Sequence, residues 1–209
     1  MGTAHNIIRA TTGFSGRRSA VLIFVIATAL SSAAQQVSLQ LDPAKTTVRF
    51  TLDAALHTVH GTFQAKHGTL QFDPASAQVS GEIVVDTKSG QTGNGMRDRK
   101  MHNEVLESDR YPEITFRPVR IEGSVANQGK SSVTIHGMFS IHGMEQEITI
   151  PAEVDMSADH WAATAHFTVP YAKWGLKNPS TLFLRVSDSV EVEVVAGGSV
   201  VKHTASSAQ

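Results

Sequence analysis

Two side chains in the middle of the chain have the types and spacing of an acid–base pair. Asp98 and His102 are four residues apart in a stretch that we predict to be helical, so their side chains can meet on one helix face. A carboxylate that orients an imidazole favours a general base. No Ser or Thr lies in a nucleophile-elbow pattern that would complete an acyl-transfer site. We therefore expect Asp98 and His102 to cap the helix or form an ion pair, and we assign no catalytic residue.

The ten histidines of the chain also suggest a metal site. The chain has no cysteine, so such a site could not use thiolate ligands. His57, His60 and His67 form the closest group. Their spacing is not that of a zinc site, and no nearby carboxylate completes a ligand set. We expect these histidines to be exposed, and we predict no metal and no cofactor. The glycine-rich residues 90–95 lack the lysine and the spacing of a phosphate loop.

The charge balance argues against a nucleic-acid partner. The 18 Lys and Arg residues are offset by 19 Asp and Glu residues, which gives a formal net charge of -1. No basic surface of the kind that binds phosphate backbones is indicated. At 209 residues the chain is long enough for one domain with a continuous core or an internal cavity.

Alternating apolar residues predict strands over most of the chain. Val48, Phe50 and Leu52 share one face of a strand, and the same period of two recurs before and after the predicted helix. His136 and His142 fall on the opposite face of the longest such pattern, where we expect them to be solvated. Eight or nine strands at short spacing, without a βαβ rhythm, favour an all-β fold. We predict a lipocalin-like closed antiparallel barrel of about eight strands with one short helical insert.

One strand changes phase at a proline. Ile114 and Phe116 share one face, whereas Val119 and Ile121 fall on the other, with Pro118 between them. A β-bulge at Pro118 would return both pairs to the same side of the sheet.

The apolar faces of these strands can line one lumen. Such walls offer hydrocarbon and almost no polar anchor, which suits a long alkyl or isoprenoid chain. The same side chains can instead fill the barrel, and spacing alone leaves the two alternatives open. The predicted wall residues are Phe50, Leu52, Phe72, Ile83, Val85, Ile114, Phe116, Phe139, Ile141 and Phe167.

The N-terminal residues 1–34 have the pattern of a signal peptide. Arg9, Arg17 and Arg18 precede an apolar run at residues 20–30, and small residues follow at 31–34. The run is too short to cross a hydrocarbon core, which takes about 20 residues. The route can be general or twin-arginine export, and either leads to a periplasmic or secreted protein with no stable membrane span. We expect the barrel to occupy residues 35–196 and a disordered tail to follow at 197–209.

Several short motifs, in one order along the chain, resemble those of the YceI-like family of bacterial exported lipid-binding proteins. Together they span about Leu39 to Val195. The motifs are Leu41-Asp42-Pro43-Ala44, Thr47-Val48-Arg49-Phe50, Gly61-Thr62-Phe63, Thr92-Gly93-Asn94, Arg97-Asp98, Tyr111-Pro112-Glu113-Ile114-Thr115-Phe116, Ile141-His142-Gly143 and Trp174-Gly175-Leu176.

The resemblance implies a barrel whose lumen holds the isoprenoid tail of a quinone-like or polyprenyl lipid, or a fatty amide. It also implies a periplasmic protein without catalysis. Carried onto this chain, it places a helical insert from about Asn94 to Leu106 beside the barrel mouth as a gate. Asn94 would start the helix, and Arg97 with Asp98 would hold the insert in place. Added to the wall residues as ligand-binding candidates are Met96, Met101, Leu106 and Trp174.

The chain departs from the family pattern near the presumed mouth. Asp98-Arg99-Lys100-Met101 stands where many relatives carry Asp-x-His-Leu, and Pro170-Tyr171-Ala172-Lys173 replaces the usual Arg-containing lead-in to Trp174. These changes bear on the ligand's headgroup more than on the fold.

Two other functions stay open at the level of sequence. One is a small periplasmic metalloenzyme or hydrolase that uses the histidines and Asp98. The other is a stress-response or adhesion module with a solid barrel. The sequence also leaves open whether the protein is a monomer or a homodimer.

Overall fold

The part of the chain that the structure describes contains nine antiparallel strands and one helical insert. The computed structural model describes residues 36–182 and 184–202, so the predicted signal peptide lies outside the described residues. The strands are β1 (Val37–Leu41), β2 (Thr47–Leu52), β3 (Val59–Asp73), β4 (Gln78–Gln91), β5 (Glu113–Glu122), β6 (Gly129–Ile141), β7 (Met144–Met156), β8 (His160–Val169) and β9 (Val190–Lys202). The insert between β4 and β5 consists of α1 (Gly95–Lys100) and a π-helical turn (Met101–Val105).

The strands close into a ring of eight positions. From β3 to β9, each strand pairs with the next strand along the chain. The ring closes between β9 and β3 through β1 and β2, each of which pairs with both of them. Strand β2 lies between the first part of β3 and the first part of β9, and β1 lies between the last part of β3 and the end of β9. The two short strands therefore share one position, interrupted by a 3₁₀ turn at Pro43–Lys45. The prediction of an all-β, lipocalin-like antiparallel ring of about eight strands with a helical insert is confirmed.

Local sequence explains how the strands are connected. Strands β6 and β7 pair from Gly129 and Met156 to Ile141 and Met144, which leaves a turn of two residues, 142 and 143. Both turn residues have positive φ, as the tight hairpin turns that match strand twist require. Glycine at 143 adopts this conformation without strain, because it has no β-carbon.

Two apolar clusters lie at opposite ends of the ring. One contains Leu41, Val133, Val154, Met156 and Trp161, and it fills the end near β1. The other cluster joins the insert to the strand ends that lie near it. Its buried members are Leu106, Ile114, Ile141, Val169, Tyr171 and Leu176.

A β-bulge in β5 is present, as predicted, but it places Val119 on the outer face of the sheet, not on the inner face. The register between β5 and β6 shifts between Pro118 and Arg120. Pro118 is buried and Val119 is exposed, while Ile121 packs against the first cluster. The prediction that Val119 shares the inner face is therefore wrong, because Pro118 takes the inward position and Val119 is the extra, outward residue.

The prediction that a disordered tail begins at residue 197 is wrong for residues 197–202. Strand β9 continues through residues 197–202 and pairs there with β1, so the folded unit extends beyond residue 196. A β-carbon added at Gly198 would overlap the carbonyl group of Gln40. The small residues at this point allow close strand approach and do not indicate disorder. Residues 203–209 lie outside the described part of the chain.

Candidate functional site

The ring encloses a cavity of about 680 Å³. Of the fourteen ligand-binding candidates taken from the sequence, twelve line it. The walls are almost entirely apolar, and they include aromatic, branched aliphatic and methionine side chains from the strands and from the insert. The twelve residues are Phe50, Leu52, Ile83, Val85, Met96, Met101, Leu106, Ile114, Phe116, Phe139, Ile141 and Phe167.

The other two candidates, Phe72 and Trp174, do not line the cavity, which corrects the prediction. Phe72 is buried near the end of β3, where it pairs with Val37 and Val79. Trp174 packs against Phe139, with 5.7 Å between the ring centroids. Trp174 therefore contacts the wall residue Phe139 without lining the cavity itself.

The lumen stays open because several inward positions carry little or no side chain. Gly61 pairs with Phe50, and a β-carbon added at Gly61 would overlap the Phe50 ring. Similarly, a β-carbon at Gly137 would lie 2.8 Å from a ring atom of Phe116. The two rings thus lie over glycine backbone, an arrangement known from aromatic residues that cover strand glycines. Small wall residues of β8, such as Ala165, leave further space.

Three segments form the mouth of the cavity: residues 54–57, residues 94–101 and residues 179–186, of which residue 183 lies outside the described residues. The wall residues that are exposed to solvent all belong to these segments. They are His57, Asn94, Met96 and Thr181. Arg97 and Lys100, the charged wall residues, lie in the same region. The cavity therefore has an apolar interior and a polar rim.

Sequence reasoning missed part of this site. Residues 179–186 contribute Pro179, Thr181, Leu184 and Val186 to the wall, but this segment has no alternating pattern that would have marked it. The walls from β9 were detectable, since Val190, Val192 and Val194 alternate with polar residues.

The insert begins where the sequence predicts. The Asn94 side chain accepts hydrogen bonds from the backbone N–H groups of Met96 and Arg97, both at 3.1 Å, and so caps α1. The Asp98 carboxylate accepts a hydrogen bond from the backbone N–H of Thr92 at 2.9 Å. Arg97 donates to the Thr92 carbonyl oxygen at 3.0 Å. Both charged residues thus fasten α1 to the end of β4.

His102 bridges the insert and the sheet. Its Nε2 lies 2.8 Å from the carbonyl oxygen of Gly90, so Nε2 carries the proton and donates it. Its Nδ1 lies 2.8 Å from Oγ of Ser108 and accepts that hydroxyl's hydrogen bond. Asp98 and His102 therefore bond to different partners and do not form the acid–base pair that their spacing allows.

The histidines do not assemble a metal centre within residues 36–182 and 184–202, where no cluster of three or more His, Cys, Asp or Glu side chains could hold an ion. His57 lies at the mouth, and His60 lies 3.1 Å from the hydroxyl of Thr51. His142 is half-buried and stacks on Tyr111, with ring centroids 4.3 Å apart. The expectation that His142 is solvated is therefore wrong, because the hairpin turn folds its ring against Tyr111.

Two contacts hold the insert against the mouth segment 179–186 and the residues before it. The Lys100 ammonium donates to the carbonyl oxygen of Pro179 at 3.1 Å. The Lys177 ammonium lies 2.7 Å from Oε2 of Glu104. This bond and the charge of Lys177 lower the pKa of Glu104 below its usual value. Because the pair is exposed, its contribution to stability is small.

Tyr171 is hydrogen-bonded to Ser187, the residue that follows the mouth segment 179–186. Its buried hydroxyl donates to the carbonyl oxygen of Ser187 at 2.5 Å. Burial, with a smaller effect from the Asp188 charge, raises the pKa of Tyr171 to about 12. The phenol therefore stays neutral and retains its bond at ordinary pH.

The arrangement is suited to holding an apolar molecule with one polar end. A model of the YceI-like domain matches residues 39–197. The chain belongs to the YceI-like family. Its membership confirms the resemblance carried by the ordered motifs between Leu39 and Val195.

Curated members of the family show limited identity to this chain. UPF0312 protein VPA0850 of Vibrio parahaemolyticus is 28% identical over 106 residues, which are 49% of this chain and 54% of that protein. A UPF0312 protein of Pseudomonas fluorescens is 24% identical over 146 residues, which are 66% of this chain and 73% of that protein. The chain thus spans about half the length of the first relative and more of the second.

Solved structures share the YceI-like fold. BcnA of Burkholderia cenocepacia superposes with a TM-score of 0.62 at 19% identity, covering 76% of this chain and 99% of that one. A polyisoprenoid binding domain from Saccharophagus degradans gives 0.61 at 16% identity, covering 78% and 98%. The YceI protein of Campylobacter jejuni gives 0.55 at 19% identity, covering 71% and 87%. At these identities the similarity establishes the fold.

Within the described residues, no helix combines the length and the apolar character needed to span a membrane.

Proposed function

We propose that this protein binds a long-chain isoprenoid or a similar amphiphilic lipid in its cavity and stores or carries that lipid in the periplasm. The observation that supports the proposal most is the apolar cavity of about 680 Å³, which opens at one polar rim. Its size lies within the range of small-molecule sites, about 300–1,000 Å³. It has few polar groups that could fix a polar substrate.

The cavity can bind an apolar chain without specific hydrogen bonds. Burying hydrocarbon gains about 0.8 kcal/mol per methylene. Ten buried methylenes therefore provide about 8 kcal/mol, which corresponds to a dissociation constant of about 1 μM before the entropic costs of binding. Affinity in this mode depends on chain length, and the headgroup adds selectivity.

The position of the charged wall residues orients the ligand. Arg97 and Lys100 lie at the mouth, whereas the walls deeper in the ring are apolar. We place the lipid tail among the strands and its polar end beside these two side chains. Met96 and Met101 would adjust to chains of different shape, because the methionine side chain is flexible.

The comparisons support the class of ligand. The Saccharophagus degradans domain with the same fold is described as a polyisoprenoid binding domain. The N-terminal pattern of residues 1–34 supports export. A binding role agrees with the family and with His102, which holds the insert against the sheet.

Titration with a long-chain isoprenoid quinone in detergent tests the function, with tryptophan quenching as the readout because Trp161 lines the cavity. The matched variants are Ala165→Phe, which fills the lumen, and Ala162→Phe, which changes an exposed residue of the same strand. We expect saturable binding by the wild type and by Ala162→Phe, and binding weakened about tenfold or more by Ala165→Phe. Equal quenching by all three proteins would show that the quinone binds elsewhere. Thermal unfolding of each variant checks that it is folded.

A further inference from the structure

The three most exposed large apolar side chains of the described residues all belong to the segments that form the cavity mouth. Leu182 is 91% exposed, Leu56 is 79% exposed and Met96 is 74% exposed. The next are Val119 at 51%, Met144 at 47% and Val201 at 41%, none of which is in a mouth segment. Apolar groups gathered at one place on a surface mark a site of interaction.

A backbone hydrogen bond joins the two chain segments that carry Leu56 and Leu182. The backbone N–H of Ala55 donates to the carbonyl oxygen of Arg185 at 2.9 Å, which holds the segment of Leu56 against the segment of Leu182. The N–H of Thr181 donates to the carbonyl oxygen of Leu184 at 2.9 Å. Leu182 therefore lies next to a residue that is hydrogen-bonded within the same segment.

The third side chain reaches the same rim from the insert. Met96 is in the first turn of α1, and it lines the cavity while remaining exposed. Lys100, on the same helix, donates to the carbonyl oxygen of Pro179 at 3.1 Å. This bond places α1 beside the residues 179–186. We name Leu56, Met96 and Leu182 the apolar rim.

Exposed arginine side chains lie in the same mouth segments as the apolar rim. Arg99 and Arg185 are exposed, and neither forms an ion pair with any residue the structure describes. Arg99 is three residues after Met96, so the two side chains lie on one side of α1. Four carboxylates lie in or near the mouth segments, and each already accepts a hydrogen bond: Asp53 from Thr58, Asp98 from Thr92, Glu104 from Lys177 and Asp188 from Asn178.

We propose that the mouth docks on the surface of a membrane that contains anionic phospholipid, with the apolar rim inserted among the headgroups. Apolar tips beside cationic side chains are the combination that binds anionic bilayer surfaces. The inference rests on the proposed function, because docking at the mouth lets an apolar lipid pass between bilayer and cavity without crossing water. It also explains why the three most exposed large apolar side chains belong to the mouth segments.

Flotation with vesicles of phosphatidylglycerol and phosphatidylethanolamine tests the docking. The test variant is Leu56→Asp with Leu182→Asp, since neither residue lines the cavity. The matched control is Val119→Asp with Val201→Asp, which places two carboxylates on exposed apolar positions away from the mouth. All proteins are the full chain, so any contribution from residues 20–30 is common to them.

We expect the test variant to partition onto the vesicles about tenfold less than the wild type and the control. Binding should also weaken in high salt and with phosphatidylcholine vesicles, because the charge attraction is lost. Equal flotation of wild type and test variant, or an equal loss in the control, would overturn the proposal. So would a wild-type dimer that the test variant converts to monomer without any change in flotation, because the apolar rim would then join two copies.

The quinone titration in detergent separates this proposal from the proposed function. The test variant should bind quinone like the wild type, since its cavity is intact. A wild type that floats with vesicles but takes up no quinone would contradict the proposed function and leave docking supported.

Discussion

The ring of Phe50 occupies the space that a side chain at Gly61 would fill on the neighbouring strand. The two residues are register partners on β2 and β3; Phe50 lines the cavity, and Gly61 alternates with the wall residues Val59 and Phe63 on the same face of β3. Because the ring lies over the glycine, it forms part of the wall and leaves the centre open. This pairing is one reason that an aromatic-rich interior contains a cavity.

Gly61→Ala should displace the ring and narrow the cavity. The new β-carbon would also lie 2.7 Å from the backbone oxygen of Gln91, so the strands must shift. Overpacking of this kind costs about 1–3 kcal/mol in the free energy of unfolding. We expect that loss in chemical denaturation, together with weaker quinone binding. Gly95→Ala is the control, because open space surrounds that position, and it should leave both measurements close to wild type.

Phe116→Ala and Phe72→Ala compare a cavity wall with a packed core. Phe72 is buried away from the cavity, so its removal should cost about 3–5 kcal/mol in the free energy of unfolding. Phe116 already borders empty space, so its removal should cost less but should weaken quinone binding. Urea denaturation and the quinone titration measure the two effects. A larger stability loss at 116 than at 72 would indicate that the lumen is filled.

His102→Ala should loosen the insert. The substitution removes the bonds to Gly90 and Ser108, and a buried hydrogen bond contributes about 1 kcal/mol. We expect faster hydrogen exchange at residues 96–106 and a loss of about 1–2 kcal/mol in the free energy of unfolding. His60→Ala, on an exposed strand position, serves as the control. Unchanged exchange in the insert would disprove the bridging role, and metal lost together with the His102 side chain would support the metalloenzyme alternative.

Tyr171 should make stability depend on pH in the alkaline range. Burial raises the pKa of its hydroxyl from the usual 10.0 to about 12, so the folded state favours the neutral phenol. That stabilisation is fully present below pH 10 and is lost as the pH rises through about 12. Tyr171→Phe removes the bond to Ser187 and should be about 1 kcal/mol less stable at neutral pH. The difference from wild type should shrink between pH 10 and 12, whereas a constant difference would rule out this linkage.

The walls of the site were predictable because strand residues alternate between two faces. Phe139 and Ile141 face the lumen as their positions indicate, and the same rule identified most other wall residues. The helical insert was equally visible, since Asn94 caps it and the residues after it break the alternation.

Depth along the ring was not predictable from alternation. Phe72 and Phe50 both face inward, yet only Phe50 borders the cavity. Val119 was misplaced because the sequence does not show which residue of a bulge is the extra one. The glycines before the end of β9 resemble a tail in composition, although Gly198 is required by the close approach of β1. Residues 179–186 form part of the mouth through irregular hydrogen bonds, which leave no periodic signal.

Native mass spectrometry of the protein purified from the compartment in which it resides would show directly whether the cavity holds a lipid. We expect one lipid per chain, released by organic extraction and identified as a long-chain isoprenoid or a similar amphiphile, and much less lipid in Ala165→Phe than in Ala162→Phe. Protein that carries no lipid from its source and accepts none on titration would rule out lipid binding in the cavity.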